Sequence, residues 1–297
     1  MKIGYLILNY KDAKRSVAAA RMAAGLDAVK EVLIVDNCSP DDSWGLLQYA
    51  AGGKISVLRT EENGGYSYGN NIGVRSLSEK GCDIIAVANP DVSITEENLL
   101  LLANALSDPV YAAVSGVEYD AAGQLTQPVL WRLKSYGEDV LTCFPMIYRT
   151  VRRLKKQTPV PELTGALQQV ELLKGSFLVC SAERFLKAGG FDENVFLYCE
   201  ERILAKRMEQ AGFRLGLMPA AKYVHDHASS VEREYRSSAD RMKLLYRSVL
   251  YYQDTYGSIG KLRHLFLRLC MKWSVFEFRI IDLIRTCGKS DGGGKRC

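Results

Sequence analysis

The stretch Ile84-Ile85-Ala86-Val87-Ala88-Asn89-Pro90-Asp91 decides the fold. It is a short apolar run that ends in an amide, a proline and a carboxylate. Bracketed by Gly81 and Pro90, a run of this length reads as a strand buried on both faces, as in a parallel sheet. Pro90 has no N–H to give a ladder, so the strand stops there. Asp91 is then held at the carboxyl end of a central strand, where open α/β sheets place their ligands. The plainer alternative is a turn, with Asp91 capping a helix from about Ile94.

Other strand ends in the chain bear on that choice. Ile3 to Leu8 is an apolar run that ends in Asn9-Tyr10, and a helical pattern follows from Asp12 to Ala24. Lys30 to Val35 is a second buried strand and ends in Asp36-Asn37. Ser39-Pro40-Asp41-Asp42-Ser43 looks like a helix start, with Ser39 as N-cap and Pro40 at the first helical position. Ile55–Leu58 is a third strand, leading to Asn63-Gly64-Gly65-Tyr66. Strands alternating with helices at this spacing indicate βαβ units and a doubly wound, mainly parallel α/β sheet. No G-x-G-x-x-G or G-x-x-x-x-G-K-[ST] loop follows a strand, which argues against dinucleotide oxidoreductases and P-loop kinases.

Beyond Asp91, Val110–Val117 reads as a fifth strand. Residues 118–164 read as an irregular, partly mobile insertion, with Arg149, Arg152, Arg153, Lys155 and Lys156 ahead of Pro159 and Pro161. Val170–Val179 restores regular structure, and helix Ala182–Ala188 precedes Gly189-Gly190-Phe191-Asp192-Glu193. A helix from about Glu200 stops at Gly212. Strand Phe213–Met218 should end at Pro219, and Tyr223-Val224-His225 closes a body of residues 1–230.

Residues 231–297 carry 14 Lys and Arg against 7 Asp and Glu, on a near-neutral remainder. Met242, Leu245, Val249 and Tyr252 form one helical stripe in this extension. Leu262, Leu265, Leu269, Trp273, Phe276, Ile280 and Leu283 form a second, interleaved with Arg263, Arg268, Lys272 and Arg279. Packing on the body or on a second subunit, as in a homodimer, is one reading. A basic amphipathic helix on an anionic membrane surface is the other. Met1-Lys2 leads straight into a strand-like run, so no signal peptide is expected. No uncharged apolar run of about 18 residues occurs. The 8 cysteines form no CxxC pair, as expected of reduced thiols in a cytoplasmic protein.

Taken in order, the polar clusters resemble a known family. Val35-Asp36-Asn37-Cys38-Ser39-Pro40-Asp41-Asp42-Ser43, Asn63-Gly64-Gly65-Tyr66 with Gly69-Asn70-Asn71-Ile72-Gly73, and Asn89-Pro90-Asp91-Val92 are similar to the donor-site motifs of the family 2 glycosyltransferases. Gly175-Ser176-Phe177, Gly189-Gly190-Phe191-Asp192-Glu193 and Phe196-Leu197-Tyr198-Cys199-Glu200-Glu201 resemble its acceptor-side and catalytic segment. His225-x-x-Ala228-x-Ser230 is similar to its closing histidine motif. The pattern is most like that of rhamnosyltransferase-like enzymes of bacterial surface polysaccharide (capsule) synthesis.

The resemblance implies a GT-A type nucleotide-sugar-binding sheet, here with a helical C-terminal extension. It implies inverting, metal-dependent sugar transfer from a nucleotide diphosphate sugar of UDP or dTDP type. The acceptor would be a saccharide, free or lipid-linked, at the inner face of the plasma membrane; nucleic acid is not an expected partner. Asn9, Asp36, Asn37, Ser39, Asn63, Gly64, Gly65, Asn70, Asn71 and Asn89 fall on the donor side. Gly175, Phe191, Asp192 and Glu193 fall on the acceptor side. Asp91 and His225 would hold Mg²⁺ or Mn²⁺, whose hard character suits oxygen ligands. Glu201 stands where the family carries its catalytic Asp, beside Glu200. The family segment usually reads Glu-Asp-x-Asp-Leu, and Glu200-Glu201-Arg202-Ile203-Leu204 departs from it at Glu201 and Ile203. A nucleotidyltransferase and a non-catalytic sugar-nucleotide-binding or scaffold protein remain as rivals.

Overall fold

The computed structural model of the chain describes residues 1–126, 132–154, 165–226 and 237–290. They form two compact units: residues 1–133, 158–196 and 200–228, and residues 134–157, 197–199 and 229–297. The elements in chain order are β1 (Ile3–Asn9), α1 (Ala13–Ala24), β2 (Val29–Asp36), α2 (Ser43–Ala50), β3 (Ile55–Arg59), α3 (Gly65–Glu79), β4 (Ile84–Ala88), β5 (Val92–Ile94), α4 (Glu96–Ala105) and β6 (Tyr111–Tyr119). There follow α5 (Tyr136–Thr142), α6 (Pro145–Leu154), β7 (Gln168–Val170), β8 (Phe177–Ser181), α7 (Ala182–Lys187), α8 (Glu200–Gln210), β9 (Arg214–His225), α9 (Ser238–Thr255) and α10 (Lys261–Ser290).

The nine strands among the described residues lie in one sheet of the first unit, in the order β3-β2-β1-β4-β8-β6-β9-β5, with β7 also on β9. β1, β2, β3 and β4 run parallel, and β6 runs parallel to β9. β8 runs against both β4 and β6. Side-chain alternation splits the core in two. Tyr5, Ile7 and Ala86 face α1 and α4, whereas Leu6, Ile85 and Val87 face α3, α7 and α8. All five residues of β4 are buried, as the opening stretch requires. Each of its larger side chains contributes about 2 kcal/mol by leaving water.

Several expectations need correction. No helix starts at Ile94. Residues Val92–Ile94 form β5, and Thr95 caps α4 by accepting from the Asn98 N–H. Asp91 is therefore not a cap. Ser39 does not cap α2 either, because that helix starts at Ser43 and Ser39 is buried against Asp36. β9 passes through Pro219 instead of ending there. Ser115 pairs with Leu217 and Val117 with Lys222, so residues 218–221 form an irregularity that absorbs the missing N–H. The run Val170–Val179 is two strands, separated by a loop at 171–176.

The stretch read as an irregular insertion contains α5 and α6. Ser135 and Glu138 make a reciprocal capping box at the start of α5, the S-x-x-E signature of a helix start. The side chains of Arg149, Arg152 and Arg153 lie outside the described residues. So do Lys155, Lys156, Pro159, Pro161, Ala228, Ser230 and the boundary expected at residue 230.

In the second unit α5, α9 and α10 pack together. Gln253 Nε2 donates to buried Asp139 Oδ2 at 2.6 Å, and Tyr246 OH and Ser274 Oγ share a hydrogen bond of 2.8 Å. Tyr246, Val249 and Tyr252 are buried. The apolar stripe of α10 behaves differently: Leu262, Leu265, Leu269, Trp273, Phe276 and Ile280 are all exposed. The Leu283 side chain lies outside the described residues.

Candidate active site

The carboxyl ends of the strands gather the polar residues. β5 pairs antiparallel with β9, Val92 opposite His225. This register brings two residues 134 apart in sequence together, and His225 Nε2 lies 3.3 Å from Asp91 Oδ1. The other imidazole nitrogen, Nδ1, lies 3.4 Å from Glu118 Oε2 at the end of β6. Burial lowers the proton affinity of His225, but hydrogen bonds and charge from Asp91 and Glu118 outweigh it and raise the pKa to about 9.

Glu118 is a hub that the sequence reading missed. Lys174 Nζ donates to its Oε1 at 3.1 Å, while Ser176 Oγ and Tyr223 OH donate to Oε2 at 3.1 and 2.9 Å. Burial raises the carboxyl pKa, but His225 and Lys174 overcome it and hold Glu118 well below the carboxylate range. The signal was the one that picked out Asp36 and Asp91, a polar residue closing an apolar strand. It was lost because residue 118 was assigned to the insertion.

At the ends of β1 and β2, Asp36 is fully buried. Asn9 Nδ2 donates to its Oδ1 at 2.9 Å and Ser39 Oγ at 2.6 Å, and Arg59 Nε lies 3.5 Å from Oδ2. Arg59 also covers the Trp44 ring at 5.8 Å. Asn37 Nδ2 donates to Asn63 Oδ1 at 2.9 Å and to the Gly65 carbonyl at 3.0 Å, which ties this cluster to the start of α3. Gly65 has φ +87°, and a Cβ there would lie 2.1 Å from the Phe196 carbonyl oxygen. Its close approach is thus to the chain's own backbone. Gly64, the Ncap of α3, has an ordinary φ of −82°.

Asn70 and Asn71 are buried on α3. Asn70 Nδ2 donates to the Tyr66 carbonyl at 3.0 Å. Asn71 is spent on the 190–193 loop: Nδ2 donates to the Phe191 carbonyl at 2.9 Å and Glu193 Oε1 at 2.7 Å, and Oδ1 accepts from the Phe191 N–H at 3.0 Å. Asp192 is buried and pairs with Arg207 at 3.1 Å. Phe191 packs edge-on against Tyr66 at 5.3 Å.

The loop between β7 and β8 joins the two ends of the site. Asn89 N–H donates to the Ser176 carbonyl at 2.9 Å, and Ser176 Oγ reaches Glu118. One residue earlier, Gly175 N–H donates to Glu201 Oε1 at 3.3 Å, and the Gly175 carbonyl accepts from Tyr66 OH at 2.6 Å. A Cβ on Gly175 would stand 2.9 Å from that carboxylate oxygen, so the glycine admits Glu201. Glu200 is buried; burial and the charge of Glu201 push its pKa well up. Ile203, where the family carries an acid, is fully buried.

Asp91 and His225 fit a divalent cation in one specific respect. Nε2 faces Asp91 while Nδ1 faces a carboxylate, the outer partner that fixes the tautomer of a ligating histidine. Among the described residues no cluster of three or more His, Cys, Asp and Glu side chains is arranged to hold a metal. Two protein ligands are compatible with Mg²⁺-type sites completed by phosphate oxygens.

The family model described as glycosyl transferase family 2 matches residues 10–173. Among curated relatives, the low-salt glycan biosynthesis hexosyltransferase Agl10 of Haloferax volcanii is 25% identical over 228 residues, covering 75% of this chain and 67% of that protein. The N-acetylglucosaminyl-diphospho-decaprenol L-rhamnosyltransferase of Mycobacterium tuberculosis is 26% identical over 285 residues, covering 86% of this chain and 89% of that protein. Among solved structures, the mannosyltransferase PcManGT from Pyrobaculum calidifontis, in complex with GDP-Man and Mn²⁺, superposes with a TM-score of 0.56 at 14% identity, over 99% of this chain and 76% of that one.

Proposed function

The chain belongs to glycosyl transferase family 2, and on that premise we propose that it moves a sugar from a UDP- or dTDP-type donor onto a saccharide acceptor with inversion. Sugar transfer in glycan synthesis sets aside the nucleotidyltransferase and scaffold alternatives. Bound at Asp91 and His225, Mg²⁺ or Mn²⁺ would neutralise charge on the departing diphosphate. Glu118 orients His225 for that role. Asp36, with Asn9 and Ser39 behind it, holds the nucleoside. The acceptor hydroxyl oxygen attacks the anomeric carbon as its bond to the diphosphate breaks, and Glu201 Oε takes the hydroxyl proton. Phe191, Asp192 and Glu193 border the acceptor.

One observation carries this reading. The loop at 174–176 touches Glu118 and Asn89 on one side and Glu201 on the other, so the base and the diphosphate end of the site are set by one segment. A lipid-linked acceptor at the cytosolic membrane face suits the basic second unit, which would make a peripheral contact there. The diphospho-decaprenol named for the mycobacterial relative supports a carrier of that kind.

Purified protein with a panel of UDP-, dTDP- and GDP-sugars and Mn²⁺ tests the proposal. One donor should be hydrolysed slowly without acceptor, and Asp91→Ala should abolish both that hydrolysis and metal-dependent nucleotide binding while melting normally. Unchanged metal dependence in Asp91→Ala would return the residue to a turn.

A further inference from the structure

We propose that the cleft between α9 and α10 binds the phosphate headgroup of an anionic bilayer phospholipid, with the exposed stripe of α10 entering the acyl layer beside it. The inference rests on the peripheral contact proposed above and gives it a site and a ligand class. The cleft has a volume of about 460 Å³ and lies wholly within the second unit. Its floor is apolar, with buried Met271 and half-buried Leu250 and Val275. Its rim carries Arg247, Arg268, Lys272 and Arg279. None of these four makes a hydrogen bond or ion pair among the described residues, whereas Lys243, also at the rim, is paired with Asp240 at 2.6 Å. Arg279 also acts through its charge on Asp240; an apolar floor beside cations that hold no hydrogen bond is complementary to an amphiphilic anion.

Helical geometry sets the rim and the stripe side by side. At 100° per residue, Arg268, Lys272 and Arg279 fall within roughly 40° of one another, about 100° from the line through Leu262, Leu269, Trp273 and Ile280. The buried face, with Leu267, Met271 and Ser274, lies on the other side of the cationic row. From packed face to basic row to exposed apolar row is the order an interfacial helix needs. Leu262, Leu265, Phe266, Leu269, Trp273, Phe276 and Ile280 are 41–85% exposed. Of the large exposed hydrophobics among the described residues, more than half are on this one helix. Its two described acids are used internally: Glu277 accepts from Trp273 Nε1 at 2.8 Å, and Asp282 accepts from Ser237 Oγ and the Ala239 N–H at the start of α9. The described basic side chains of α10, Lys261, Arg263, Arg268, Lys272 and Arg279, outnumber these two acids. A bilayer accounts for both features at once, whereas free phosphate leaves the stripe unexplained.

Co-sedimentation of the full chain with vesicles of phosphatidylcholine, alone or mixed with phosphatidylglycerol, tests the site. Binding should require phosphatidylglycerol and weaken as salt rises. Each basic side chain near an anionic surface is worth roughly fivefold, so Arg268→Ala with Lys272→Ala should weaken binding roughly 30-fold. Trp273→Ala with Phe276→Ala should also weaken it, and melting temperature and nucleotide binding should be unchanged in both double variants. Equal binding to the two vesicle types, or a basic-pair variant that binds like wild type, overturns the headgroup site. Absence of vesicle binding together with a dimer lost in Trp273→Ala makes the stripe a subunit interface instead. Saturable binding of inorganic phosphate at the cleft, without any binding to phosphatidylglycerol vesicles, overturns it in favour of free phosphate. Nucleotide binding reads the first unit alone, so failure here leaves the transfer reaction standing and its failure leaves this site standing.

Discussion

Glu200 and Glu201 are neighbours with opposite surroundings. Glu201 reaches the Gly175 N–H, while Glu200 is buried and its Oε2 has no hydrogen-bond partner among the described residues. A carboxyl whose pKa is raised on folding adds stability that is complete below its unfolded value and is lost as pH rises through the folded one. Glu200→Gln keeps the shape and removes that loss. Its melting temperature relative to wild type should therefore rise as pH increases above the ordinary carboxylate range; a relative fall would show that the charged form is needed. His225 is raised as well, to about 9. Its contribution to the metal-free protein is complete below about pH 6.5 and fades as pH rises toward 9. A cation at Nε2 must displace the Nε2 proton, so stabilisation by Mn²⁺ should grow over the same interval. Thermal melts with and without Mn²⁺ across that range check it, and a pH-independent increment would remove His225 from the metal site. Asp91, His225 and Glu201 were legible as residue types at strand and helix ends. Glu118 carries the same signal at the end of an apolar run but sits at the edge of the stretch read as an insertion; its role as a hub was not legible, because its partners Lys174, Ser176, Tyr223 and His225 are 56 to 107 positions away.

The start of α3 is the element on which both halves of the site depend. Gly65 is held at positive φ under the Phe196 carbonyl, Tyr66 N–H donates to that same oxygen at 3.0 Å, and Asn37 holds the Gly65 carbonyl. Gly65→Ala combines a left-handed non-glycine with a backbone clash, and should destabilise the protein by about 2–3 kcal/mol or more. Nucleotide affinity should fall with it, as read by chemical denaturation and titration. A wild-type denaturation midpoint would mean that the loop relaxes freely. The Asn-Gly-Gly pattern was readable as a tight turn, but its contact with a backbone 131 residues away was not. β9 makes a similar point. Pro219 signals a strand end locally, and only the register against β6 makes it a bulge within one long strand.

For the whole molecule, apolar runs ending in polar residues were enough to read the parallel half of the sheet, β1 to β4. They could not reveal that β8 enters antiparallel between β4 and β6, because no local pattern encodes strand order. Nor could they show that α5 joins the C-terminal helices, since Gln253 and Asp139 meet across 114 positions. The 174–176 loop lies between Glu118, the partner of His225, on one side and Glu201 of α8 on the other, and it is to that arrangement that we propose to assign sugar transfer. Steady-state turnover of Glu201→Gln, at saturating donor and Mn²⁺, tests the assignment most directly. Donor affinity should match wild type while turnover drops roughly 10²-fold or more, the usual size of general-base catalysis. Turnover at the wild-type rate would contradict it.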